Sequence, residues 1–91
     1  MIYEWNEAKR ASNLIKHGVD FEDVRSFDWD SALIQGDKRR DYGEQRWRAI
    51  GVLGTCVVVV IVYTNRDRAT RVISARLASI KERAFYEAAF R

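Results

Sequence analysis

The run Cys56-Val57-Val58-Val59-Val60-Ile61-Val62 is apolar at every position. It is far shorter than the roughly 20 residues of a membrane span, and its β-branched side chains favour an extended backbone. A strand that is apolar without alternation must be covered on both faces, so it is predicted at the centre of a sheet with helices supplying at least one cover. The 91 residues are 47% hydrophobic, enough for one modest core and a single domain spanning 1–91.

The flanking elements follow from periodicity and caps. Ile2 to Trp5 reads as a short strand. Asn6 caps a helix over Glu7 to His17 with Gly18 after its end, and Ala8, Ala11, Leu14 and Ile15 share a face. Asp20 caps a second helix that ends near Phe27, with Val19 and Val24 stapled across the cap. A short strand is predicted at Ala32 to Gln35, then a polar loop from Gly36 to Gly43 that is a candidate mobile element. The strands Arg46 to Leu53, Thr55 to Thr64 and Thr70 to Leu77 form a meander, turning at Gly54 and at Asn65-Arg66-Asp67-Arg68. Ser79 and Glu82 make a capping-box pattern for a last helix, whose Ile80, Ala84, Phe85, Ala88 and Ala89 form a broad docking face. The fold class is therefore α+β: a mainly antiparallel sheet of about four strands packed against two N-terminal helices and a C-terminal helix.

Charge is unevenly distributed. Residues 1–45 hold 7 Lys/Arg against 10 Asp/Glu, net −3, and residues 46–91 hold 9 against 3, net +6. Arg46, Arg48, Arg66, Arg68, Arg71 and Arg76 lie in or beside the predicted sheet, and arginine suits bidentate contact with phosphate. Glu4 and Glu7 stand where an export signal would be basic, so the expectation is a soluble, cytoplasmic protein with no membrane partner. The lone cysteine, Cys56, cannot form an intramolecular disulfide and reads as a small buried hydrophobe, which suits a reducing compartment. One histidine and scattered carboxylates give no familiar metal-ligand spacing, so neither metal nor cofactor is expected. The segment from Phe21 carries Glu22 and Asp23 against only Arg25, which argues against a DNA-recognition helix.

Six segments, in order, resemble one known family: Tyr3-Glu4-Trp5-Asn6-Glu7-Ala8-Lys9, Asn13-Leu14-Ile15-Lys16-His17-Gly18-Val19-Asp20-Phe21, Asp41-Tyr42-Gly43-Glu44-Gln45-Arg46, Tyr63-Thr64-Asn65-Arg66, Ile73-Ser74-Ala75-Arg76-Leu77-Ala78 and Glu82-Arg83-Ala84-Phe85-Tyr86. The pattern is that of the BrnT toxins of bacterial type II toxin-antitoxin pairs. Asp67 departs from it, since many members carry Gly there, and this bears on the local turn. The resemblance implies a RelE-like fold, a growth-inhibiting ribonuclease, and a BrnA-type ribbon-helix-helix antitoxin in a heterotetramer with two copies of each chain. Operator DNA would then be bound only through the antitoxin complex.

Metal-independent RNA cleavage needs a group to activate the ribose 2′-OH, cations for the phosphorane, and an acid for the leaving 5′-oxygen. The catalytic candidates are His17, Glu44, Arg66 and Arg76; the RNA-binding candidates are Lys16, Arg46, Arg48, Tyr63 and Arg71. His17, the one histidine, is either a C-terminal cap or an acid or phosphate contact. Arg76 alternates with Ser74 and Val72, so a polar pair either bonds internally or lines a cleft, with Arg76 and neighbouring Arg66 as phosphorane stabilisers. Glu44 and Arg46 are a rim ion pair or a base beside a phosphate anchor. Tyr63 and Tyr86 either stack on bases or are buried, and Lys38-Arg39-Arg40 is a solvated or a phosphate-tracking loop. A non-catalytic RNA-binding or regulatory module is the alternative from another class.

Overall fold

The computed structural model describes residues 1–90. Its elements are β1 (Ile2–Glu4), α1 (Glu7–His17), a 3-10 helix (Phe21–Ser26), β2 (Leu33–Gly36), β3 (Trp47–Leu53), β4 (Val57–Arg66), β5 (Ala69–Leu77) and α2 (Ile80–Ala88). The strands form one five-stranded sheet in the order β1-β5-β4-β3-β2. The apolar β4 is central, and Val59 through Thr64 are buried without a break. β1 pairs in parallel with β5 at an edge, so the sheet has five strands rather than about four and is not wholly antiparallel. Three residues are too few to declare a direction, and their partner lies near the other end of the chain.

The two faces of β4 are covered differently. Val59, Ile61 and Tyr63 join Ala49, Val72 and Ala75 under Val19, Phe21, Val24 and Phe27, with Trp5 and Trp29 packed around them. The predicted second helix lies over this face and is a 3-10 helix. Its three residues per turn eclipse positions i and i+3, which sends both Phe21 and Val24 into the core at 0% exposure. Burying each contributes about 2 kcal/mol. Gly51 on β3 makes room for Phe27, since a Cβ there would stand 2.7 Å from the ring. The opposite face has a smaller cluster of Ile50, Val60 and Tyr86, flanked by Leu33, Val52, Val58 and Ala78.

Both helices have the predicted caps but dock by other side chains. Asn6 accepts from the Lys9 N–H and Gly18 closes α1 at φ 73°, while Ser79 and Glu82 form the full capping box of α2. In α1 the buried residue is Asn13, whereas Leu14 and Ile15 are exposed. Its amide donates to the carbonyls of Ala75 at 2.7 Å and Val19 at 2.9 Å, and accepts from the Ala75 N–H at 3.3 Å. The helix thus satisfies the edge of β5 beyond the reach of β1. In α2 only Tyr86 is buried, and Ile80, Ala84, Phe85, Ala88 and Ala89 face solvent, contrary to the predicted docking face. Cys56 is exposed in the turn before β4 rather than buried, because the strand starts one residue later. The β4–β5 turn accepts Asp67 at φ 53°, a left-handed conformation that a short polar side chain tolerates.

Removing the Asn13 amide strands buried backbone groups on two elements. Asn13→Ala should cost about 3 kcal/mol and lower the melting temperature by roughly 15 °C in a domain of this size. A shift of only a degree or two, measured by thermal circular dichroism, would show that the β5 edge does not depend on this side chain.

Candidate nucleic-acid interface

Pairing across a sheet puts facing residues on the same side. Arg48 faces Val62, Val62 faces Ser74, Val60 faces Arg76, and Thr64 faces Arg71. Arg48, Arg71, Ser74 and Arg76 therefore share the α2 side of the sheet. Arg71 and Arg76 are five residues apart, a spacing that would send them to opposite faces of a regular strand. A bulge between Val62 and Tyr63 removes the conflict: β5 spends the extra residue Ile73 there. The same slip turns Val72 into the core at 1% exposure, so it does not alternate with Ser74 and Arg76 as the sequence pattern suggests.

Carboxylates organise the arginines. Glu82 accepts two bonds from Arg76, at 2.7 and 2.9 Å, and one from Arg48 at 3.0 Å. Glu44 joins Arg46 and Arg66, each at 3.2 Å. Glu4 holds Arg71 at 3.0 Å, tying β1 to β5. The predicted neighbourhood of Arg66 and Arg76 is corrected here. The two guanidiniums belong to different carboxylates, and Arg66 lies six positions along β4 from the partner of Arg76, about 20 Å at 3.3 Å per residue. The side chain that converges with Arg76 is Arg48.

Arg46, above all, holds the Glu44 carboxyl below its usual range, helped by Arg66. An ionised, weakly basic carboxylate suits holding two arginines better than taking a proton. Arg76 keeps Glu82 down at about 2. Tyr63 is corrected as an RNA contact: it is 7% exposed, packs edge-on against Trp29 at 5.0 Å, and faces away from the arginines. Burial raises its hydroxyl pKa. Tyr86 is also buried, with its hydroxyl 3.2 Å from that of Ser31.

His17 and Lys16 line a groove of about 440 Å³ between α1 and β5, together with Lys9, Ser12, Asn13 and Ser74. Ser74 also belongs to the arginine side of the sheet, so the groove and that face meet at its side chain. Sequence reasoning missed Lys9, Ser12 and Asn13, although Lys9 and Ser12, at helical spacing from Lys16, could have been suggested by it. It also read Glu82 only as a cap.

The Gly36 to Gly43 loop is built around a buried carboxylate. Asp37 accepts from Arg39 Nε and Nη2, both at 2.8 Å, and from the Tyr42 hydroxyl at 3.2 Å. Tyr42 in turn lies 4.1 Å from the Arg46 guanidinium and 5.2 Å from that of Arg40. The loop expected to be mobile is braced from within and brings Arg39 and Arg40 toward the arginine side. Among the described residues no three His, Cys, Asp or Glu side chains gather as a metal site, and no helix is long and apolar enough to cross a membrane.

Over residues 5–82 the sequence matches the family described as "Ribonuclease toxin, BrnT, of type II toxin-antitoxin system". Among solved structures it is similar to the Brucella abortus ribonuclease toxin BrnT, at 31% sequence identity and a TM-score of 0.70, covering 87% of this chain and 99% of that one. No curated protein sequence gives a significant match.

The Arg39 guanidinium, outweighing the opposite effect of burial, lowers Asp37 from 3.8 to about 2. A carboxylate lowered on folding stabilises the fold above its ordinary pKa, and that contribution fades as pH falls through 4 toward 2. Urea midpoints measured from pH 6 to pH 2 should therefore drop less steeply in Asp37→Asn, which starts from a lower midpoint at pH 6. Parallel curves for the two proteins would show that the loop carboxylate does not contribute to acid sensitivity.

Proposed function

The chain belongs to the BrnT family of ribonuclease toxins of type II toxin-antitoxin systems, and from that premise we propose that it cleaves RNA on the arginine side of its sheet. The observation that carries this reading is the gathering of Arg46, Arg48, Arg66, Arg71 and Arg76 on one side, next to the His17 groove. Five guanidiniums against Glu4, Glu44 and Glu82 leave that side cationic, as a surface that tracks a phosphate backbone must be.

In this reading Arg76 and Arg48 hold the scissile phosphate and stabilise the phosphorane as the 2′-oxygen attacks phosphorus. Arg46, Arg66 and Arg71 take flanking phosphates, and Glu44 keeps Arg46 and Arg66 in place. His17 takes the 2′-OH proton at the groove and gives it to the 5′-oxygen as the bond from phosphorus to that oxygen breaks, with Lys16 and Lys9 favouring the approach of a polyanion. The cations and the histidine cover the needs of a metal-independent reaction, and such cleavage leaves 2′,3′-cyclic phosphate ends.

The test is cleavage of single-stranded RNA by the purified chain in EDTA, with end-group analysis. Arg76→Ala should slow cleavage about 100-fold or more, with the melting temperature within a few degrees of the parent. RNA bound without loss of length would identify a binding module instead, and full activity in His17→Ala would remove the histidine from the mechanism.

A type II toxin has an antitoxin partner. We propose a BrnA-type ribbon-helix-helix protein that lays an acidic or amphipathic segment over the cationic side, giving two copies of each chain, with operator DNA bound through the complex. RNA and antitoxin should then exclude one another, and light scattering of the mixed proteins should give a heterotetramer. Simultaneous, independent binding of both would move the neutralising contact away from this face.

A further inference from the structure

We infer that Arg48 and Arg76 form a phosphate subsite that the chain fills with its own Glu82 carboxylate, so that α2 competes with RNA for its tightest anion position. This rests on the reading of the arginine side as the RNA surface, and it names the element that must yield there.

Three features at this place point the same way. The first is geometric: the two Glu82 oxygens meet the Arg76 fork at 2.7 and 2.9 Å, with Arg48 adding a third bond at 3.0 Å. A planar guanidinium meets two phosphate oxygens in the same bidentate manner, so the carboxylate stands in for the non-bridging oxygens of a phosphodiester. The second is an unmet donor. Arg48 Nε is buried and has no hydrogen-bond partner, a costly condition that an anion with more acceptor oxygens than a carboxylate would relieve. The third is room. A hollow of about 190 Å³ opens beside the carboxylate, lined by Gln35, Arg48, Ile50, Lys81 and Phe85 as well as Glu82.

The element carrying the carboxylate is lightly held. Tyr86 is the one buried side chain of α2, while Ile80 is 90% and Phe85 52% exposed. With one aromatic anchor and one carboxylate at its first turn, the helix can lift without opening the main core, which lies on the other face of the sheet. A backbone phosphate that takes Arg76 and Arg48 displaces Glu82, and the capping bonds from the Ser79 N–H to the Glu82 carboxylate and from the Glu82 N–H to the Ser79 hydroxyl can persist as the helix moves as a unit.

The test compares the parent with Glu82→Gln, a change that keeps a capping-box residue and removes the charge. The probe is a short 2′-O-methyl RNA, which has no free 2′-OH to attack and reports binding alone. Glu82→Gln should bind it at least tenfold more tightly, with a log–log salt slope steeper by about 0.7, one further phosphate on a single strand. An affinity that stays the same or falls overturns the inference. If Arg46→Ala still weakens binding in that case, the RNA reading of the face survives alone; if no arginine substitution matters, that reading fails as well. Hydrogen exchange on the parent gives a second measurement that needs no variant. Saturating RNA should speed exchange of the α2 amides, and slowed or unchanged exchange there would overturn the competition.

Discussion

Between Val62 and Tyr63 the pairing of β4 with β5 slips by one residue, and Ile73 is left with no partner across the strand. The rest of the architecture depends on that slip. On one side of it Ala75 points into the core, and on the other Val72 does, so a strand with core residues three apart keeps both buried. On the reverse face the same change of phase brings Arg71 and Arg76 together. It also presents Ile73 and Ser74 to α1, where they line the groove that holds Lys16 and His17. A regular β5 would have to give up either a core residue or an arginine. The bulge lets one short strand serve a dry core and a charged surface.

This explains what was legible in the sequence and what was not. The unbroken apolar run identified β4 and its central place because burial on both faces is a local property of composition. The caps at Asn6, Asp20 and Ser79 were legible for a similar reason, since a side chain that bonds a backbone N–H within three residues leaves its pattern in the chain itself. The bulge left none: Ile73-Ser74-Ala75-Arg76 reads as plain alternation, and only the partner strand reveals the skipped residue. The parallel pairing of β1, the Asn13 bonds to Ala75 and the Glu82 bridge were hidden because each joins residues from separate elements. Tyr63 went astray because an aromatic at the end of an apolar strand looks the same in sequence whether it faces RNA or Trp29. The arginines were visible as a group, but which of them converge was not.

Crowding guanidiniums on one side of a small sheet has a cost. At neighbouring positions like charges repel, and Arg39 and Arg76 are near enough to oppose one another. The fold limits the damage by interleaving carboxylates, with Glu44 and Glu82 each shared by two arginines and Glu4 matched to one. Pairs at a solvent-facing surface contribute little each, about 0–1 kcal/mol, and most of these are only partly covered. Their main effect is to fix rotamers, so that a ligand meets side chains already ordered and less entropy is lost on binding.

Such a surface cannot be optimal for the free chain and for a polyanion at once. Carboxylates that quiet the repulsion also occupy the positions a phosphate would take, and the better they bond, the more a ligand must displace. The conflict is sharpest at Glu82, whose three bonds to arginine are shorter than the two at Glu44. It is mildest at Arg66, whose side chain is half exposed at the end of β4. On the proposed reading, a phosphate chain would therefore enter most easily at the half-exposed Arg66 and meet the greatest resistance at the Arg48 and Arg76 end. Binding in that order would deliver the strongest anion contact last, at the place where Ser74 joins the sheet to the histidine groove.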